Sequence, residues 1–190
     1  MLFVLDFFDR DVFLLINQRW ASPSLDPMMI FLSSKWALVP LYVLFLGLFV
    51  KQFGKKFWIP TLLTLLAFGL ADSISSRVCK PLFARVRPAF ETSLHPRLPD
   101  GKPGSRFGFV SSHSANAFAV FTTAMMLLGL GRRARLALMY LAASIAYSRV
   151  YLGVHYLGDV FFGAMLGLGI AFFVLWIYRH WIVSKARVMV

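Results

Sequence analysis

A single cysteine, Cys79, stands among the 190 residues, so the chain has neither an intrachain disulfide framework nor a multi-cysteine zinc site. Alone and small, it reads as a packing residue. Acid is scarce too: 8 Asp and Glu stand against 20 Lys and Arg, a net charge of +12. Only 15% of the residues are charged, against about 25% in an average soluble domain. What fills the gap is apolar: 59% of the chain is hydrophobic and its mean hydropathy is +0.71. A soluble domain of this size leaves roughly a third of its unfolded surface exposed, which would put large apolar patches in water. A soluble single domain is therefore excluded.

A bilayer-spanning helix needs about 20 mostly apolar residues, because hydrocarbon offers the backbone no hydrogen-bond partner. Five segments satisfy this, near 28–50, 57–77, 112–130, 134–150 and 157–179. The expected fold is all-α, a polytopic membrane bundle of about five spanning helices in one domain, 1–190. The first 26 residues do not cross, because Asp6, Asp9, Arg10 and Asp11 interrupt their apolar run. With Leu2, Leu5, Phe8, Phe13 and Ile16 on one helical face, this segment is expected to lie in the membrane interface. It lacks the basic start and small-residue cleavage site of a signal peptide.

Loop charges set the expected orientation. KQFGKK at 51–56, GRRAR at 131–135 and the tail residues Arg179, Lys185 and Arg187 share one side with no acid, which should be cytoplasmic. The opposite side carries the connection 78–111, with five prolines after Lys80. A stretch that long without regular structure is uncommon in a compact fold unless it has a function. The active side should therefore face outward, which in a bacterial inner membrane would be the periplasm or exterior.

Three polar groups fall at that outward level: Lys80, Arg85, Arg87 and Pro88; Ser111, Ser112 and His113; and Ser148, Arg149, His155 and Asp159. Lys80, Arg87 and Arg149 offer fixed positive charge and forked donors suited to phosphate, and amides at the start of the third span near Ser111 add to the cradle. His155 and Asp159 are four apart, so the carboxylate can orient one ring nitrogen and leave the other as a nucleophile. His113 can protonate a departing alkoxide. This set describes phosphoryl transfer through a phosphohistidine. It needs no cofactor, and it offers cations where a metal enzyme would gather carboxylates and histidines.

These residues resemble the type 2 phosphatidic acid phosphatases, which share their site with the vanadium-dependent haloperoxidases. KPLFARVRP carries the first motif on Lys80, Arg87 and Pro88, and SRVYLGVHYLGD carries the third on Ser148, Arg149, His155 and Asp159. The second, usually PSGH, reads VSSH: Ser111 and His113 match, while Val110 and Ser112 replace proline and glycine. Glycine serves the family by leaving its backbone amide free to hold phosphate. Ser112 instead brings a hydroxyl. The resemblance implies a metal-independent lipid phosphatase with His155 as nucleophile, Asp159 as its orienting partner and His113 as the acid. Lys80, Arg87, Ser111, Ser112 and Arg149 would bind phosphate.

The expected partners are the bilayer and a lipid phosphate or diphosphate, such as undecaprenyl diphosphate, phosphatidylglycerol phosphate, phosphatidic acid or a lipid A phosphate. A lipid phosphotransferase and a non-catalytic phosphate-binding membrane protein are the alternatives. Nucleic acid is not expected, since the basic residues divide between two sides of a membrane, and nothing in the sequence sets the oligomeric state. Arg85, Arg97, Lys102 and Arg106 match no pattern, and His95 and His180 read as surface groups. Lys35 and Asp72, each inside a span, are expected to pair. Gly158, Gly163, Gly167 and Gly169 are expected to pack within the monomer.

Overall fold

The computed structural model describes residues 2–183, with side chains described for 7–180. Lys185 and Arg187 lie outside these, as do the side chains of Leu2, Leu5 and Asp6. Helix α1 spans Leu2–Leu14 and runs into a wide turn, Leu15–Arg19. Helix α2, Asp26–Ser33, starts with an acid and a proline in its first turn, where each is favoured. It stops because Ser34 turns extended, and the Ser34 hydroxyl then accepts from the Ala37 N–H to start a short turn, Lys35–Leu38. Pro40 opens α3, Val39–Phe53, and Gly54, at φ +53, closes it.

Helix α4, Trp58–Ser73, unwinds through the turn Ile74–Cys79 into the single turn α5, Lys80–Phe83. After the connection come α6, Ser112–Leu127, α7, Arg132–Tyr151, and α8, Leu157–Ile177. Among the described residues three helical stretches are long and apolar enough to cross a membrane: Lys35–Lys56, Trp58–Phe83 and Leu157–His180. They correspond to the first, second and fifth expected spans. The first begins at Lys35 rather than 28, because the break at Ser34 detaches α2, which packs on α7 instead.

The segments 112–130 and 134–150 are the helices α6 and α7, but neither is among those three stretches. Helix α6 is 16 residues long, short of a full crossing, and the arginines of α7 lower its hydropathy. Helix α6 packs against α4, α7 and α8 and buries Ser114, Thr122 and Thr123 among protein atoms, so it needs little lipid-facing apolar surface. Helix α7 begins with Arg132, Arg133 and Arg135 and ends with Arg149. Closeness between α6 and α8 comes from small residues: a Cβ at Gly167 would meet the Ala115 carbonyl at 2.3 Å, and one at Gly163 the Ser111 carbonyl at 2.6 Å. Gly169 faces open space instead.

Two expectations are corrected. Helix α1 does not present one apolar face opposite its charges: Phe13 and Ile16 enter a core with Tyr151, Val154 and Tyr156, whereas Phe8 is exposed. Asp9, one turn before Phe13, is buried beside it because it finds a cationic partner inside the protein. Nor do Lys35 and Asp72 pair. Asp72 accepts from the Asn116 amide of α6 at 3.0 Å, and Lys35, exposed, lies over the Trp36 ring. A neutral donor on the neighbouring helix meets Asp72's need without stretching Lys35 inward.

Candidate active site

The connection, the start of α6 and the turn between α7 and α8 meet at one end of the bundle. The turn holds His155, 1% exposed, and the first turn of α8 holds Asp159, wholly buried. Their i, i+4 spacing brings Nδ1 within 3.2 Å of Asp159 Oδ2, which also accepts from the Tyr156 N–H at 3.1 Å. A carboxylate on that side favours the tautomer with its proton on Nδ1, leaving the Nε2 lone pair free. Burial holds the His155 pKa well below the usual 6.5, and the charges of Arg87, Arg149, Lys80 and Arg85 push the same way. The ring is thus neutral near neutral pH, the form a nucleophile requires.

Around the pair stand the cations. Arg87, 5% exposed, donates through Nε to the Phe107 carbonyl at 3.1 Å and through Nη2 to Ser105 at 3.3 Å. Burial lowers its pKa, against the opposing charge of Asp159, though a guanidinium stays charged throughout. Gly108 allows the approach: a Cβ there would lie 2.8 Å from Arg87 Cγ, 3.0 Å from Asp159 Oδ2 and 3.4 Å from His155 Nδ1. Arg149 extends from the last turn of α7 to the hydroxyl of Ser33 on α2. His113, in the first turn of α6, lies within electrostatic reach of Arg149, His155, Lys80 and Arg87.

Lys80 donates to the Ser112 hydroxyl at 2.8 Å, and the Ser75 hydroxyl lies 2.9 Å from the same oxygen. The hydroxyl in place of glycine therefore holds the ammonium at the mouth of α6. With Lys80 donating to its oxygen, the Ser112 hydroxyl keeps one proton to give, to Ser75, whose own proton can go to the Asp72 carbonyl at 3.1 Å, or to a phosphate oxygen. Ser111 is occupied differently. Its hydroxyl caps α6 by accepting from the Ser114 N–H, and its own N–H donates to the Asp159 carbonyl at 3.0 Å. Ser148 is likewise turned inward, donating to the Ile145 carbonyl. The eight expected site residues thus gather at one bundle end, with the Ser111 side chain engaged in the scaffold.

Several residues here matched no sequence pattern. Arg85 bridges Asp159 and Asp9, with Nη1 2.9 Å from Asp159 Oδ1 and Nη2 2.8 Å from Asp9 Oδ2. The N-terminal segment also ties down the connection. Arg10 pairs with Glu91 at 2.6 Å, Asn17 holds both the N–H and carbonyl of Arg97, and Asp26 pairs with Arg97 at 3.0 Å. The available clue was an economy of acid: with eight carboxylates in all, one inside an apolar helix needs a cation. Arg106, Lys102 and His95 remain exposed. Among the described residues no three His, Cys, Asp or Glu come together in a form that could hold a metal ion.

The profile described as the PAP2 superfamily matches residues 57–182. The lipid A 4'-phosphatase of Porphyromonas gingivalis is 32% identical over 188 residues, covering 94% of this chain and 75% of that protein. The phosphatidylglycerophosphatase B of Bacillus subtilis is 32% identical over 168 residues, covering 84% of this chain and 76% of the relative. The crystal structure of a transmembrane PAP2-type phosphatidylglycerolphosphate phosphatase from Bacillus subtilis superposes with a TM-score of 0.74 at 26% identity, over 93% of this chain and 87% of that one.

Proposed function

Given that this chain belongs to the PAP2 superfamily and is a membrane lipid phosphatase, we propose that it removes phosphate from a lipid phosphate or diphosphate through a phosphohistidine on His155. The buried pair of His155 Nδ1 and Asp159 Oδ2 at 3.2 Å carries this reading. In the first step His155 Nε2 bonds to phosphorus as the bond to the leaving oxygen breaks, and His113, protonated by the incoming phosphate monoanion, protonates that oxygen. In the second, His113 takes a proton from water, the hydroxide attacks phosphorus, and the N–P bond breaks to release phosphate and free His155. Lys80, Arg87 and Arg149 offset the charge that builds on the phosphoryl oxygens, with the Ser112 hydroxyl donating beside Lys80.

The site lies at the end of the bundle away from Lys51, Lys55, Lys56, Arg132, Arg133 and Arg135. By the positive-inside rule it faces the periplasm or exterior, at the level of outer-leaflet headgroups. Relatives named for lipid A and phosphatidylglycerol phosphates support a lipid whose chains remain in the bilayer. Each methylene taken out of water is worth about 0.8 kcal/mol, and since a lipid already has part of that gain in the membrane, the tail acts mainly by positioning the headgroup at the cradle. The test is phosphate release by purified protein from a panel of long-chain lipid phosphates and diphosphates, set against a soluble phosphomonoester in the same micelles. The lipids are expected to show much the higher kcat/KM, and His155→Ala to abolish release. Equal efficiency on the soluble ester, or substantial activity in His155→Ala, contradicts the proposal.

A further inference from the structure

Burying a carboxylate in the middle of an apolar helix is costly unless it is paired and hydrogen-bonded. Asp9 on α1 is 6% exposed and directs both oxygens away from its own helix. Oδ2 lies 2.8 Å from Arg85 Nη2, and Oδ1 accepts from the Gly158 N–H at 2.8 Å. The other arm of the same guanidinium is 2.9 Å from Asp159 Oδ1, while Asp159 Oδ2 faces the His155 ring. Arg85 lies over the Tyr156 ring, its Cζ 4.3 Å from the centroid. Position 158 is fitted to this arrangement, since a Cβ there would come within 2.6 Å of Asp9 Oδ2.

We propose that Asp9 is a positioning residue for the nucleophile, acting through Arg85 on Asp159. This rests on the reading of His155 given above. Charges alternate along the line, negative at Asp9, positive at Arg85, negative at Asp159. Without Asp9, more of the guanidinium's charge would bear on Asp159 and weaken that carboxylate as an acceptor for the imidazole. Asp9 shares the guanidinium and keeps it on the Oδ1 side, so that Oδ2 stays on the ring. Through Gly158 it also fixes the first turn of α8, which carries Asp159. The N-terminal helix, outside the residues 57–182 that match the family, is thus part of the catalytic apparatus.

The test compares Asp9→Asn with Arg10→Gln in the full-length protein, using lipid-phosphate turnover and thermal unfolding. Asn keeps the shape and the acceptor for Gly158 but removes the charge facing Arg85. Its kcat is expected to fall about 10- to 100-fold, the range seen when a partner that orients a metal-binding side chain is removed, with KM within about twofold. Arg10→Gln removes the neighbouring tie to Glu91 and should lower the unfolding temperature with kcat unchanged. If Asp9→Asn does not fold, Gly158→Ala, which displaces the Asp9 carboxylate, is read in its place. Asp9→Asn combined with Arg85→Gln should be no worse than the poorer single variant. A kcat within twofold of the parent in Asp9→Asn, additive losses in the double variant, or an equal kcat loss in Arg10→Gln overturns the proposal. His155→Ala is assayed alongside, and activity there would instead overturn the nucleophile assignment.

Discussion

A neutral imidazole is what the surroundings of His155 select, and the selection has a consequence for pH. Its pKa is lowered first by burial and then by the cations about it. The acid limb of kcat/KM, which reports the free enzyme's base, is therefore expected below the ordinary histidine value of 6.5. The linked effect on stability has a definite sign. As pH falls through 6.5 the unfolded chain binds a proton at this residue while the folded chain does not, so folding is progressively destabilised on the acid side. Rates measured from about pH 4.5 to 7.5 check this, and a limb at or above 6.5 in the free enzyme contradicts it.

At this scale much of the site was legible. Lys80, Arg87, Arg149, His155 and Asp159 stand at spacings that predicted their gathering at one end of the bundle, and Ser112 announced itself by replacing a glycine. Asp9, Ser33 and Arg85 were hidden for one physical reason: their partners are 149, 116 and 74 positions away in the chain. No local pattern records such contacts. Spacing also could not tell that the Ser111 hydroxyl would be taken up as a helix cap.

Among the elements, α6 is the axis on which the site is mounted, and its fit against α8 depends on Gly163 and Gly167. A methyl at position 167 would press on the Ala115 carbonyl from 2.3 Å. Overpacking of that kind costs about 1–3 kcal/mol. Gly167→Ala is therefore expected to lower the unfolding temperature in detergent, while Gly169→Ala, which meets nothing within 4 Å, should not; equal behaviour of the two variants would show that the helices do not rely on this contact. Hydropathy found α3, α4 and α8 because those helices face lipid. It also placed α6 and α7, near 112–130 and 134–150, although α6 is only 16 residues long and α7 starts with exposed arginines. The break at Ser34 was also unforeseen, as a capping serine inside an apolar run resembles an ordinary small residue.

Taken whole, the molecule puts its proposed phosphate cradle at one end and a belt of basic residues free of acid at the other. The proposed orientation can be read directly in cells by replacing Cys79 with Ser and labelling introduced cysteines with an impermeant reagent. Cysteine at Lys102, exposed on the connection, should react in intact cells, and cysteine at Lys55, exposed at the opposite end, should not. The reverse pattern would move the search for substrate to inner-leaflet lipids.

The central claim is the covalent step at His155, and rapid quenching during turnover of a lipid carrying labelled phosphate tests it most directly. The expected result is label bound to the protein in a bond stable to alkali and labile to acid, as a phosphoramidate is. Peptide mapping should place it on His155, with none trapped in His155→Ala. Label on Ser111, Ser112 or His113, or turnover with no label on the protein at any quench time, would contradict it.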